Sequence, residues 1–363
     1  MMKVGILTVV RVVNYGTFLQ AYALQDAVRQ LGHECSFLGY SHGHAPGAKM
    51  HERHTGRMLA RARRLLRNPH LRTRWLNLQK SGCFRRYVDA YLNLSNQSIS
   101  DCDCDVVVVG SDEVWNFLNS PIGYEPAFFG QGNAQARLVA YAPSFGFAAI
   151  EDIESHGLGG PITAGLKSFT ALSSRDRNTQ AIIEQLMGTT VPMVLDPTLA
   201  FGRYDALTQA TDLSNYILVY AYGTHPNRDE ISSLRDFARY TAKKLVSVGI
   251  FHDWCDININ ADPRAFLALY KAADYVVSST YHGTIFAIMN RKPFCSLVGV
   301  NRNKLGFLLS DLGLSDRIAQ APSGIEAILM RDPDYQMVAS RLDTRMELSR
   351  SYLRGAIEGD GSL

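Results

Sequence analysis

The sequence lacks any uninterrupted apolar run of the roughly 20 residues that a membrane-spanning helix needs. Its first residues, MMKVGILTVVRVVN, lack a cleavage site of the secretory type. The hydrophobic fraction of 46% and the charged fraction of 20% are those of a globular protein, which argues against extensive disorder. We therefore expect a cytoplasmic protein, either free or attached peripherally to the inner membrane face.

Clustered cysteines are also missing. The six cysteines are spread along 363 residues and lie mostly in or beside apolar runs, as reduced packing cysteines do. The one close pair, Cys102 and Cys104, has no second Cys or His pair nearby, so that it supports a metal site only weakly. We predict no bound metal.

The net charge of +3 is small, but one segment is strongly basic. From Lys49 to Arg74 the chain has nine Lys or Arg residues and a single acid, Glu52. Such a segment can bind an anionic membrane surface, a polyphosphate or a nucleic acid, or can form a solvated pair of basic helices. No recognised motif or aromatic platform accompanies the charge, which argues against nucleic acid as a partner.

Short β-branched runs alternate with longer amphipathic segments, as in the βα units of a parallel sheet. Because these runs are apolar on both faces, helices should cover both sides of each sheet. The length of 363 residues suggests two domains. The predicted fold is α/β, with two doubly wound Rossmann-like domains facing each other across a cleft. The predicted strands are 4–10, 35–40, 105–111, 138–144, 169–175, 191–196, 216–223, 244–250, 275–281 and 293–299.

The predicted link between the domains is the segment 196–215, which is richer in polar and turn residues than its flanks. The N-terminal domain is placed at 1–198, with a basic helical insertion at 49–94, and is expected to hold the acceptor. The C-terminal domain is placed at 199–363 and ends in a helix at 334–358.

Ligands of open parallel sheets bind at the carboxyl ends of the strands, so polar residues after each strand are candidate site residues. Asn14, Tyr15 and Gly16 follow the first strand and open a helix. The free amides of that helix can meet an anion or a sugar hydroxyl. The alternative is ordinary helix capping, because the turn contains one glycine rather than a glycine-rich loop.

The stretch GSDEVWN, residues 110–116, follows the most apolar strand. Ser111 and Asp112 can cap a helix, and Trp115 offers a flat apolar face of the kind that stacks on a sugar ring. The same residues are equally explained by a Ser–Asp cap beside a core tryptophan.

Arg175, in SSRDRNT, ends another predicted strand, where its guanidinium needs an anion. The planar fork of N–H donors fits two oxygens of a carboxylate or phosphate. The alternative is an internal ion pair with Asp176 or Asp196.

His282 lies where an apolar strand passes into a helix, in VVSSTYHGTIFAIM. If Gly283 begins the helix, His282 lies at its N-terminal edge, where the helix dipole disfavours the imidazolium. A neutral imidazole near pH 7 can take a proton from a hydroxyl. A lone histidine is more often structural, but the hydroxyl side chains of residues 278–281 favour a polar ligand.

Five segments taken together resemble the polysaccharide pyruvyl transferase family. Their order, spacing and residue identities match the family over nearly the whole chain, although no single motif is decisive. The segments are NYGTFLQAYALQ (14–25), GSDEVWN (110–116), SSRD (173–176), LDPTL (195–199) and SSTYHGTIF (278–286).

The resemblance implies a fold like that of the type B glycosyltransferases. It also implies a reaction, in which the enolpyruvyl unit of phosphoenolpyruvate moves onto two hydroxyls of a saccharide, giving a pyruvate ketal during surface polysaccharide synthesis. Phosphoenolpyruvate would be a co-substrate and no cofactor would be needed. The basic segment 49–74 suggests a lipid-linked acceptor at an anionic membrane.

The family's histidine falls on His282 and its arginine on Arg175, which we predict to be catalytic. Thr280 is a departure, since some family members carry an arginine there. The predicted donor contacts are Arg175, Ser279, Thr280, Gly283, Arg302 and Lys304, and the predicted acceptor contacts are Asn14, Tyr15, Gly16, Ser111, Asp112 and Trp115. Two alternatives remain open, a glycosyltransferase that uses a nucleotide sugar and a noncatalytic saccharide-binding protein.

Overall fold

The computed structural model describes residues 1–41, 43, 84–119, 122–132, 135–207, 209–298 and 302–359, except for the side chains of residues 302 and 303. The basic segment 49–74, most of the predicted insertion 49–94 and the side chain of Arg302 therefore lie outside the described residues. In the part of the chain that is described, no helix has both the length and the apolar composition needed to cross a membrane.

Two parallel sheets of five strands each form the framework, as predicted. The first sheet contains β1 (Lys3–Leu7), β2 (Glu34–Phe37), β3 (Val106–Val109), β4 (Arg137–Ala140) and β5 (Phe169–Ala171), in the order β2-β1-β3-β4-β5. The second contains β6 (Tyr216–Tyr220), β7 (Lys244–Val248), β8 (Ile257–Ile259), β9 (Tyr275–Ser278) and β10 (Phe294–Ser296), in the order β10-β9-β6-β7-β8.

Helices connect the strands. They are α1 (Tyr15–Gln30), α2 (84–91), α3 (Ile150–Ser155), α4 (Gly159–Leu166), α5 (Arg177–Met187), α6 (Pro197–Ala200), α7 (Arg228–Tyr240), α8 (Pro263–Ala272), α9 (Tyr281–Met289), α10 (Arg302–Asp311), α11 (Ile325–Met330) and α12 (Tyr335–Glu358). Short 3-10 turns occur at Pro126–Phe129, Ser315–Arg317 and Pro322–Gly324. The four valines of β3 are almost completely buried, as expected for a strand that is covered on both faces.

The strand order of each sheet reverses once, at the strand that comes first in the sequence, β1 or β6. In the first sheet β2 lies on one side of β1 and β3 on the other. In the second sheet β7 and β9 lie on opposite sides of β6. In open parallel sheets a crevice forms at such a point, beyond the carboxyl ends of the strands. The loops that follow β1, β3, β6 and β9 are therefore placed to build a site.

The two sheets share packing. One cluster of buried apolar side chains includes Ile6 and Val108 of the first sheet together with Leu218 and Val276 of the second. The α1 side chain of Tyr15 is fully buried, and its hydroxyl donates to the carbonyl of Ala261 at 2.7 Å.

The last helix, predicted at 334–358 and found as α12 (Tyr335–Glu358), packs back against the first sheet. The Tyr352 hydroxyl donates to the Ala140 carbonyl at 2.9 Å. The Leu195 amide donates to the Ser349 hydroxyl, also at 2.9 Å. The chain therefore returns to its first half, and the predicted division at residue 198 stays a prediction.

One predicted strand is wrong, and one strand was not predicted. The segment 191–196 forms only an isolated bridge, between Ser174 and Met193. Pro192 has no N–H to donate to a strand ladder, which favours such a short contact. Conversely, β8 (Ile257–Ile259) was not predicted, because this edge strand is only three residues long and alternates isoleucine with asparagine.

Candidate active site

A cavity of about 450 Å³ lies between the two sheets, at the loops beside their two points of reversal. The first sheet contributes the segments after β1, β3 and β4. The second contributes the segments after β6 and β9, together with Lys304 of α10. The polar side chains that line it include Asn14, Thr17, Asp112, Glu113, His282 and Lys304.

His282 reaches this cavity from the first turn of α9. The helix begins one residue before His282, with Thr280 as its N-cap. The imidazole packs directly over Gly16 of α1, where an added Cβ would lie 2.2 Å from the ring. The Nε2 atom of His282 is buried and has no hydrogen-bond partner among the described residues. The side chain as a whole is 12% exposed.

Asp196 lies behind the imidazole and is fully buried. Its Oδ2 atom is 3.4 Å from His282 Nε2 and 2.9 Å from Arg175 Nη1. The 3.4 Å contact is long for a hydrogen bond, so that its effect is mainly electrostatic. The other carboxylate oxygen accepts from the backbone and hydroxyl of Thr198 at 3.0 and 2.6 Å.

Burial alone would raise the pKa of the Asp196 carboxyl. The neighbouring side chains of His282 and Arg175 and the Thr198 hydrogen bonds outweigh that effect, and the pKa of Asp196 is lowered. The carboxylate is therefore held ionised, and it keeps a negative charge directly behind the Nε2 atom of His282. Because Nε2 faces this carboxylate, Nδ1 is the other ring nitrogen, away from Asp196.

Arg175 is buried rather than exposed to the cavity. Besides the ion pair with Asp196, its Nη1 atom lies 3.4 Å from Asp112 Oδ1. Its guanidinium also lies over the ring of Tyr281, 5.0 Å from the centroid. Burial would lower the pKa of Arg175, but the two carboxylates outweigh it and raise the pKa. The internal ion pair with Asp196 that the sequence allowed is therefore present.

Two nitrogen atoms of the Arg175 side chain have no partner in the described part of the chain. Its Nε and Nη2 atoms are buried and have no protein partner among the described residues. An unpaired buried donor is costly, so these groups favour an anionic or polar ligand that can reach them.

Lys304 and Glu113 form an ion pair across the cavity, from α10 and from the loop after β3. The Lys304 ammonium also lies 5.6 Å from the Tyr281 ring centroid. Burial would raise the pKa of Glu113, but the Lys304 charge outweighs it and lowers the pKa to about 2. Tyr281 is thus flanked by the cations of Lys304 and Arg175, and burial raises its own pKa.

Asn14 and Asp112, two of the predicted acceptor residues, line the cavity. The Asn14 side chain caps α1 by accepting from the amides of Gly16 and Thr17. Asp112 accepts a hydrogen bond from the Thr17 hydroxyl at 2.9 Å. Asp112 has a φ of 71°, in the left-handed region that Asp tolerates better than most residues.

Three other predicted acceptor residues are packed inside the protein. Trp115 is fully buried, and its indole N–H donates to the Phe128 carbonyl at 2.7 Å. Trp115 is therefore a core tryptophan, which was the alternative to a sugar-stacking residue. Its ring cannot stack on a sugar in this conformation. Ser111 is also fully buried, as is Tyr15, so that neither side chain faces the cavity.

The predicted donor residues near His282 mainly shape the loop. The Thr280 hydroxyl caps α9 by accepting from the Gly283 amide at 2.9 Å. Gly283 is required by close packing, since a Cβ there would lie 2.2 Å from the Ser278 hydroxyl. The Ser279 hydroxyl bonds the backbone of Tyr222, accepting from its amide and donating to its carbonyl.

Sequence reasoning missed several cavity residues, chiefly Glu113, Thr17, Phe147 and Tyr222. Glu113 and Thr17 stand inside the motifs quoted above, next to residues that were chosen, so their position after a strand was the available signal. Phe147 and Tyr222 lie outside all of the motifs quoted above. Within the described ranges, no group of three or more His, Cys, Asp or Glu residues could hold a metal ion.

Comparison with solved structures shows the fold. Spinosyn rhamnosyltransferase SpnG is 12% identical, with a TM-score of 0.50, over 99% of this chain and 100% of that chain. S. aureus MnaA, solved with UDP, is 11% identical, with a TM-score of 0.50, over 97% of this chain and 91% of that chain. The architecture is that of the type B glycosyltransferases, as predicted.

No curated protein sequence matches the chain significantly. The family model for polysaccharide pyruvyl transferases, however, matches residues 14–299, which include all five motifs. The chain therefore belongs to the polysaccharide pyruvyl transferase family.

Proposed function

We propose that the protein moves the pyruvyl unit of phosphoenolpyruvate onto two hydroxyls of a saccharide, forming a cyclic ketal and releasing phosphate. The observation that carries the proposal is the imidazole of His282, which lines the cavity while its Nε2 atom lies 3.4 Å from the buried carboxylate of Asp196. Family membership supplies the reaction class. The fold alone supports any of several transferase chemistries.

In the proposed reaction, a proton adds to the methylene carbon of phosphoenolpyruvate and leaves an oxocarbenium centre at C2. One sugar hydroxyl attacks C2, the C2–O bond to phosphate breaks, and the second hydroxyl closes the ring. One hydroxyl proton is thus balanced by the proton on the new methyl group and the other by the proton on the released phosphate. His282 would relay these protons, which typically accelerates a reaction by about 10²–10⁴.

Asp196 would act as a positioning residue for His282. Its negative charge behind Nε2 orients the ring and stabilises the imidazolium that forms when Nδ1 takes a hydroxyl proton. Because Asp196 also binds Arg175, one carboxylate fixes both predicted catalytic groups.

The donor carries a carboxylate and a phosphate, so it needs cations. Lys304 faces the cavity and would contact the donor directly, exchanging its Glu113 partner for a donor oxygen. Arg175 does not line the cavity and would contribute its positive charge from behind Tyr281. We propose no cofactor and no metal, with phosphoenolpyruvate as the co-substrate.

On the acceptor side, Asn14 and Asp112 would hydrogen-bond the sugar hydroxyls. We further propose a cytoplasmic protein that meets a lipid-linked acceptor at an anionic membrane, on the basis of the charge of segment 49–74. Replacing the arginines of that segment by glutamine should abolish flotation with anionic liposomes. Unchanged flotation would remove this part of the proposal.

The experiment is an incubation of the enzyme with phosphoenolpyruvate and a panel of saccharides, in parallel with a panel of nucleotide sugars. Phosphate release and an acid-labile ketal are expected with phosphoenolpyruvate alone, and both should be lost in His282→Ala. His156→Ala is the matched control, because His156 is exposed and does not line the cavity. Turnover of a nucleotide sugar instead would favour a glycosyltransferase, and saccharide binding with no turnover of either donor would favour a binding protein.

A further inference from the structure

Exposed apolar side chains are concentrated at the candidate site. In the described part of the chain seven large apolar side chains are exposed, and three of them line this one cavity. Single exposed apolar residues are ordinary, but a group at the mouth of a polar cavity indicates a ligand with an apolar surface. The three are Val13, Phe147 and Tyr222, which are 40%, 60% and 44% exposed.

Phe147 is held in place although its ring is open to solvent. Phe145, two residues before it, and Ala148, directly after it, are fully buried. The Asn178 side chain donates to the carbonyls of Gly146 and Ala148, at 3.2 and 2.9 Å. These hydrogen bonds hold the backbone of this loop, so a ligand that contacts the ring need not order a loose loop.

Tyr222 approaches from the other sheet and is also fixed. Its backbone amide donates to the Ser279 hydroxyl at 2.9 Å, and its carbonyl accepts from the same hydroxyl at 3.0 Å. Its ring meets Tyr220 edge to face, with 6.0 Å between centroids. Phe147 and Tyr222 thus bring aromatic rings to one cavity from the loops after β4 and β6.

We propose that Phe147 and Tyr222 form the acceptor platform, an aromatic surface that binds a pyranose ring of the acceptor. The pyranose would present an uninterrupted C–H face to these two rings. This inference rests on the proposed function and names the residues that select its acceptor. A pyranose has an apolar C–H face and polar edges, and an aromatic ring covers that face while Asn14 and Asp112 accept or donate at the hydroxyls. The platform takes the role that Trp115 was expected to have.

The test is saturation-transfer NMR with methyl pyranosides of glucose, galactose, mannose and N-acetylglucosamine. At least one should bind the wild-type protein, and Phe147→Ala and Tyr222→Ala should each weaken that binding about tenfold. Phe147→Trp should retain binding and Phe147→Leu should not, because a flat ring is what the sugar needs. Tyr240→Ala is the control, since Tyr240 is 69% exposed and does not line the cavity.

Three results would overturn the proposal: no pyranoside bound by the wild type, wild-type binding by the Phe147→Ala, Tyr222→Ala double variant, or an equal loss in Tyr240→Ala. Phosphate release from phosphoenolpyruvate is measured separately. Pyranoside binding that depends on Phe147, without any ketal formation, supports the platform and contradicts the proposed function. Ketal formation by the double variant at the wild-type KM for the saccharide contradicts the platform alone.

Discussion

At the scale of single residues, Asp196 holds the candidate site together. It is fully buried, and one of its oxygens contacts both the guanidinium of Arg175 and the imidazole of His282. Removing one partner of a buried ion pair leaves the other charge uncompensated in a region of low dielectric, which costs far more than losing a surface pair.

Replacing Asp196 by Asn should therefore lower the free energy of unfolding by about 3–5 kcal/mol. Denaturant titration at pH 7 measures the change. Asp236→Asn is the control, because the Asp236–Arg239 pair is exposed and should contribute less than about 1 kcal/mol. Equal losses in the two variants would show that Asp196 is not paired as described.

Gly16 offers a second test at this scale. A Cβ at Gly16 would lie 2.2 Å from the His282 ring, so Gly16→Ala must displace the imidazole. A shift of about 1 Å in a catalytic group can reduce turnover about 100-fold, and we expect a loss of that size in kcat.

Gly160→Ala is the matched control, since it also lies on a helix but has nothing within 4 Å of an added Cβ. It should leave kcat unchanged. Wild-type kcat in Gly16→Ala would mean that the position of His282 over α1 does not matter for turnover.

At the scale of elements, the start of α9 positions His282. Thr280 is the N-cap, and its hydroxyl accepts from the Gly283 amide. The sequence indicated that Thr280 replaces an arginine of some relatives, and the structure gives this threonine a local role in the helix.

Thr280→Val removes the cap and should cost about 1 kcal/mol of stability, whereas Thr280→Ser should retain it. Thermal or denaturant unfolding of the two variants provides the comparison. A valine variant that is as stable as the wild type would contradict the capping role of the Thr280 hydroxyl.

The elements also show what the sequence could predict. Buried runs such as VVVV at 106–109 identified most strands, and the rule that ligands bind after parallel strands led to Asn14, Asp112 and His282. Side-chain direction was not predictable from that rule. Trp115 follows the same strand as Asp112 but packs on Phe129 and Phe145, because the tertiary partners of a residue decide which way it points.

At the scale of the whole molecule, the cavity is formed by both sheets. It lies beside the strands at which the strand order of each sheet reverses, β1 and β6. The Glu113–Lys304 pair crosses this cavity and connects its two walls. The folded-state pKa of Glu113, about 2, lies below its ordinary value of 4.5. Its contribution to stability is therefore present above pH 4.5 and is lost as the pH falls from 4.5 towards 2.

Glu113→Gln should thus be less stable than the wild type at pH 7, by on the order of 2 kcal/mol, and the difference should shrink as the pH falls below 4.5. Urea unfolding at a series of pH values measures this difference. The exposed Glu154→Gln variant should match the wild type throughout. A gap that stays constant with pH would contradict the assignment of the lowered pKa to Glu113.

The most direct test of the account follows the carbon skeleton of the donor. The enzyme is incubated in D₂O with a saccharide acceptor and phosphoenolpyruvate that carries ¹³C at its methylene carbon. If His282 supports pyruvyl transfer in this cavity, the labelled carbon should appear on the saccharide as a ketal methyl group with one deuterium, and His282→Ala should form none. A labelled carbon that remains a methylene group, or an alanine variant that forms the same product at the wild-type rate, would contradict the account.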